Sequence, residues 1–156
     1  MNWSQVCEDK RFQDLPFKIE LNEWGNITLS PASNQRGNLK AKIITLLARS
    51  KVEGEIISEC SIETSKGVKV ADVAWLSKDF AKQFGLETPY RQSPDIMIEI
   101  MSPSNSDEEM KEKRELYLAK GAKEVWLCRE DSTFKFYSYS GEIRYSSIIP
   151  EFPSAI

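Results

Sequence analysis

Histidine is absent from this chain. That absence excludes Ser-His-Asp and Cys-His hydrolases, His-ligated zinc enzymes and histidine phosphotransfer. Any proton transfer must fall to carboxylate, Lys, Tyr, Cys or water. Any metal site must be built mainly from oxygen, which suits hard cations such as magnesium or manganese. Cysteine is scarce as well. Cys7, Cys60 and Cys128 are odd in number and far apart in sequence. They make neither a disulfide ladder nor a CxxC metal site, and read as small buried apolar residues in a reducing cytoplasm. Long apolar runs are missing: the longest, Ile43 to Ala48, falls far short of the ~18 residues a membrane span requires. Met1-Asn2-Trp3-Ser4-Gln5 has no basic n-region and no apolar h-region, so a signal peptide is not expected. No excess of positive charge exists, since 21 Lys+Arg stand against 24 Asp+Glu.

What remains is a chain of ordinary globular composition. Its 156 residues fit one domain, 1–156, with 40% hydrophobic and 29% charged residues, so it is neither a disordered tail nor a membrane protein. No repeat, low-complexity tract or long linker divides it.

The residues up to about Phe17 predict a short helix and a loop. Lys18–Leu21 and Ile27–Leu29 predict two strands around the turn at Glu23-Trp24-Gly25-Asn26. Leu39–Arg49 predicts a helix with an apolar face of Leu39, Ile43, Leu46 and Leu47. Glu55–Ile62 and Val68–Trp75 predict strands joined at Ser65-Lys66-Gly67. A short helix, Lys78–Phe84, starts at the cap Ser77 and stops at Gly85. Asp95–Met101 predicts a strand whose even positions, Ile96, Ile98 and Ile100, press onto a core. Ser106 and Glu109 form a capping box for a helix to about Lys120, with Gly121 just past its end. Glu124–Cys128 is then the return strand of a βαβ unit. Phe134–Tyr139 and Ile143–Ser147 close the chain as a hairpin. The expected fold is α/β, a mixed sheet flanked by helices.

Three residues stand out chemically. Alternation places Asp95 and Glu99 on one face of their strand, and Val68, Val70, Asp72 and Ala74 on one face of theirs. A carboxylate inside an apolar strand is costly without a cation or several donors. Asp95 is read as a strand-end cap, and for Glu99 a structural ion pair is the plainer explanation. Two adjacent strands each offering an inward acid, Asp72 and Glu99, would make a cradle for a divalent cation. Lys113 lies on or beside the stripe of Met110 and Tyr117. Either it snorkels into water, or it bends toward the acids, where it could neutralise a transferring phosphoryl group or orient a water. Lys40, Lys42, Arg49, Lys51, Lys78 and Arg91 read as solvated charges unless the fold groups them. Trp24, Trp75, Trp126, Tyr117, Phe134 and Phe136 read as packing.

The blocks Val70-Ala71-Asp72-Val73-Ala74-Trp75, Ser93-Pro94-Asp95 through Glu99 to Ser102-Pro103-Ser104, and Glu112-Lys113-Arg114 through Tyr117 to Gly121, ending in Val125-Trp126-Leu127, resemble a known pattern. It is that of the Uma-two type of putative restriction endonucleases, within the PD-(D/E)XK nuclease superfamily. Weaker similarity reaches Ile19-Glu20-Leu21 and Ser30-Pro31. The resemblance implies a restriction-endonuclease-like core and magnesium-dependent (or manganese-dependent) hydrolysis of DNA phosphodiesters. Asp72, Glu99 and the carbonyl of Ile100 would hold the metal. The superfamily's lysine usually stands two residues after the second acid, where this chain has Met101; Lys113, on the following helix, matches the position this family is thought to use. An acid common on an early helix falls near Gln35 here, which brings no charge. That departure supports the alternative of a catalytically inactive nuclease-fold protein that binds DNA or a protein partner. By analogy a homodimer is expected, since a duplex has two strands and the chain one site.

Overall fold

The computed structural model describes residues 1–156. The chain opens with α1 (Trp3–Glu8) and a 3-10 turn at Lys10–Phe12. An antiparallel hairpin follows, β1 (Phe17–Leu21) and β2 (Ile27–Pro31). Next comes α2 (Asn34–Arg49), which starts before the predicted Leu39 because the Ser33 hydroxyl accepts the Arg36 N–H and caps an extra turn. After it come β3 (Gly54–Thr64), β4 (Gly67–Ser77), α3 (Lys78–Phe84), β5 (Ile96–Ile100) and α4 (Asp107–Ala119). The chain ends with β6 (Glu124–Cys128), β7 (Phe134–Ser138) and β8 (Gly141–Ile143).

β3 to β8 form one six-stranded sheet in chain order. Every neighbouring pair is antiparallel except β5 and β6, which run parallel and are joined across α4. The expected α/β fold with its βαβ unit over 95–128 is therefore present. Its helix is fixed by the Ser106–Glu109 capping box. The closing hairpin differs from expectation: β8 occupies Gly141–Ile143 rather than Ile143–Ser147. The Ser146–Ile148 segment instead folds onto the Glu124 carboxylate.

Two apolar layers cover the sheet. Leu39, Ile43 and Leu47 of α2 pack with Val73, Trp75, Ile96, Ile98, Ile100 and Trp126. On the other side Phe80 of α3 and Tyr117 of α4 pack with Ala74, Leu76, Met97 and Val125. Each buried Ile or Leu contributes roughly 1.5–3 kcal/mol, which is how α2 and α4 are held in place.

The β1–β2 hairpin lies outside these layers. Its Leu21 packs with Val6 and Val68, so it rests on the start of β4. Gly67 permits that contact: its φ is 87°, and a Cβ there would run into the Leu21 carbonyl and Asn22. Trp24, read as packing, is 76% exposed at the hairpin turn, whereas Trp75 and Trp126 are buried. Cys60 and Cys128 are buried as expected, but Cys7 is exposed. No helix is long and apolar enough to cross a membrane.

Candidate active site

The site begins where β4 parts from its neighbours. The β4–β5 ladder ends at the pair Val73 and Ile98, and one step further Asp72 and Glu99 come opposite each other. Toward β3 the ladder skips from Ser58–Val73 to Cys60–Ala71. The omitted residue opposite Asp72 is Glu59, at φ 58°. Alternation breaks here. Ala71 packs in the same layer as Ala74, while Val73 packs with α2. The predicted unbroken face Val68-Val70-Asp72-Ala74 is thus interrupted at Asp72, and this irregularity frees its side chain from the core.

Six charged groups meet there and alternate in sign. Arg36 on α2 donates to Asp72 Oδ1 through Nε at 3.2 Å and Nη2 at 2.7 Å. Lys18 on β1 places Nζ 3.3 Å from Asp72 Oδ1 and 3.1 Å from Glu99 Oε2. Lys113 on α4 places Nζ 3.4 Å from Glu99 Oε1 and 2.9 Å from Glu20 Oε2. The row reads Arg36, Asp72, Lys18, Glu99, Lys113, Glu20. Three carboxylates face three cations, so the cluster is neutral, which is what makes burial of so many charges tolerable.

Neutral donors fix the acids further. The Ile100 N–H donates to Asp72 Oδ2 at 2.7 Å. The Tyr117 hydroxyl donates to Glu99 Oε1 at 2.6 Å. The Val70 N–H donates to Glu20 Oε2 at 2.7 Å.

These surroundings set the protonation states. Burial works to raise the Asp72 carboxyl, but Lys18, Arg36 and the Ile100 N–H outweigh it and hold the group down at about 2. Glu20 is lowered in the same way: burial opposes, and Lys113, Lys18 and the Val70 N–H prevail. Glu99 goes the other way. Its burial outweighs Lys113 and Lys18, with Asp72 and Glu20 adding repulsion, so its carboxyl is raised. Burial works against the Lys113 ammonium, yet Glu99 and Glu20 more than compensate and raise it. The Tyr117 hydroxyl is raised well above its usual range by burial and by Glu99.

Two hollows open beside the row. One, about 340 Å³, is lined by Glu20, Glu99, Lys113, Ser30, Lys69 and Asn105 among others. The other, about 130 Å³, is lined by Asp72, Lys40, Ser33 and Glu59 among others. Lys18 and Arg36 are the residues common to both, so these two side chains form the partition.

Of the residues singled out in the sequence, Asp72, Glu99 and Lys113 converge. Lys113 does not snorkel into water; it lies partly buried between two carboxylates. Ile100 reaches the site through its N–H. Gln35 stays outside: it is exposed and its Nε2 donates to the Glu130 carbonyl at 3.4 Å. The next residue, Arg36, points in instead, so the helix presents a cation where an acid was sought. Asp95 accepts the Ser77 N–H at 2.7 Å and pairs with Lys123 at 3.1 Å, as a strand-end cap. Lys40 and Lys78 pair with Glu59 and Glu53 at the surface. Sequence reasoning missed Lys18, Glu20 and Arg36, and took Tyr117 for packing alone. Lys18-Ile19-Glu20 did carry a signal. The polar residues of that strand share one face, which places Lys18 and Glu20 side by side.

The model of the Uma2 family, described as putative restriction endonuclease, matches residues 9–150. No curated protein matches the chain. Among solved structures, a crystal structure of a putative nuclease belonging to DUF820 from Anabaena variabilis superposes with a TM-score of 0.72. The two share 16% sequence identity, over 88% of this chain and 86% of that one. At that identity the likeness speaks for the fold.

Proposed function

Since the chain belongs to the Uma2 family of putative restriction endonucleases, we propose that it is a metal-dependent endonuclease hydrolysing phosphodiester bonds of DNA. Asp72 and Glu99 are its metal ligands, with the Ile100 carbonyl completing the oxygen set. One observation carries the reading. Carboxylates from two adjacent strands share a single ammonium, Lys18, at 3.3 and 3.1 Å. The seat between them therefore already takes a cation. Its donors are oxygens, which suit magnesium or manganese. When bound, such an ion lowers the pKa of a water and polarises a phosphoryl oxygen.

The other side chains divide the remaining work. The Ile100 N–H occupies Asp72 Oδ2, so the oxygen that faces the seat is Oδ1, which Arg36 grips as well as Lys18. The Tyr117 hydroxyl occupies Glu99 Oε1 and leaves Oε2 toward it. Lys113, clamped by Glu20 and Glu99, stays charged and stabilises negative charge gathering on the phosphoryl group. Ser30, Lys69 and Asn105, on the rim of the larger hollow, offer donors to the nucleic-acid backbone. A homodimer would present one such site to each strand of a duplex.

The competing reading is an inactive nuclease-fold protein that binds DNA or a protein partner. The exact cancellation of charge in the row and the lack of an acid at Gln35 favour it. Nicking of supercoiled plasmid with and without magnesium separates the two. The nuclease reading expects cleavage by the native chain, none in excess chelator, and none by Asp72→Ala with the fold retained by circular dichroism. Cleavage by Asp72→Ala at the native rate would refute the assigned site.

A further inference from the structure

Lys18 and Arg36 are the members of the row to which the proposed chemistry gives no task, and Lys18 alone bridges both carboxylates. Its side chain is 6% exposed, and its ammonium bonds to Asp72 and Glu99 and to nothing else. Lys113 differs, because Glu20 anchors it from outside the Asp72–Glu99 pair. Arg36 differs too, since it grips Asp72 alone, through two nitrogens.

Charge arithmetic makes Lys18 necessary in the empty site. Two carboxylates this close repel each other strongly where water is scarce, so a cation must stand between them. The same arithmetic makes it an obstacle once a divalent ion arrives. Three acids already balance three cations, so a divalent ion with Lys18 in place would leave the buried cluster two positive charges in excess, which withdrawal of Lys18 cuts to one. Position agrees with charge. Lys18 and Arg36 wall the Asp72 hollow off from the Glu99 hollow. Withdrawal of Lys18 would leave only Arg36 between the two hollows and clear the space between the two carboxylates.

We propose that Lys18 is a displaceable resident cation that closes the seat between Asp72 and Glu99 and is exchanged for a divalent ion. This rests on the assignment of those two carboxylates as metal ligands. The exchange is a competition, so the work of moving Lys18 is subtracted from the metal's binding free energy.

Manganese titration calorimetry on the full chain tests it through variants of opposite sign. Lys18→Met removes the competitor and should bind manganese roughly tenfold tighter or more. Lys18→Arg installs a planar fork that grips both carboxylates more firmly and should bind several-fold more weakly. Melting adds a readout independent of activity: Lys18→Met should melt below the native chain in chelator and recover in manganese. Equal manganese affinity in the native chain and Lys18→Met would overturn the exchange while leaving the metal site standing. Failure of every form to bind manganese would overturn both. Should Lys18→Met not fold even with manganese, Lys18→Arg decides: affinity at or above native overturns the proposal.

Discussion

Glu99 and Glu124 sit on adjacent parallel strands, both nearly inaccessible to solvent at 4% and 1% exposure. Their surroundings could hardly differ more. Glu124 has no cationic partner. Its two oxygens accept from the Trp126 indole at 2.7 Å, the Ser146 hydroxyl at 2.7 Å, the Ser147 N–H and hydroxyl at 2.8 Å each, and the Ile148 N–H at 3.3 Å. All are neutral groups: two backbone amides, two short serine hydroxyls and a packed ring. Glu99 leans instead on two ammoniums at the ends of flexible side chains and on one phenol. A carboxylate saturated by fixed neutral donors has nothing to exchange, and Glu124 pins the segment after β8 to the sheet. A carboxylate balanced by a side-chain cation can trade it for another cation. The kind of donor, more than the depth of burial, separates a structural acid from one available for chemistry.

That contrast can be broken by mutation. The largest effect on folding is expected at the structural acid. Glu124→Ala orphans several buried donors and should cost about 3 kcal/mol or more in urea unfolding. Manganese affinity should barely move. A stability loss no greater than that of an exposed acid would erase the distinction.

Acid titration is expected to sharpen it. The Asp72 carboxyl stands at about 2 in the folded chain against an ordinary 3.8. Its contribution, on the order of 2 kcal/mol, is fully present above about pH 5 and is lost as pH falls toward 2. Glu20 acts in the same direction, and the raised Glu99 opposes both by gaining stability as it protonates. Metal-free Asp72→Asn should therefore show a flatter loss of stability between about pH 5 and 2 than the native chain. Parallel curves would contradict the ion pairs described around Asp72.

The smallest effect belongs to Gln35. It is exposed and points away from the row toward the Glu130 carbonyl, so Gln35→Ala should alter stability by less than about 0.5 kcal/mol and leave nicking unchanged. Loss of cleavage in that variant would bring the early-helix position back into the site.

Much of the fold was legible because its signals are local. The Ser106–Glu109 box, the Ile96-Ile98-Ile100 face and the Ser77 and Gly85 stops each lie within a few residues of the element they define. Asp72, Glu99 and Lys113 were legible as polar residues in apolar or amphipathic settings. What stayed hidden is tertiary. Arg36 enters the site only because Ser33 lengthens α2 at its start. Lys18 and Glu20 enter because Gly67 lets the hairpin lie on β4. Tyr117 looks like any buried aromatic until its hydroxyl finds Glu99. The Ser146–Ile148 segment gave up its place in a strand to donors that Glu124 required, a demand no local pattern announces.

The proposed sharing of one divalent ion by Asp72 and Glu99 can be seen directly. The most direct measurement is a crystal structure of the chain soaked in manganese, with anomalous data collected at the metal's absorption edge. One strong anomalous peak coordinated by both carboxylates is expected, with the Lys18 ammonium withdrawn from between them. An undisturbed Lys18 with no peak at that place, at manganese concentrations that support cleavage, would contradict it.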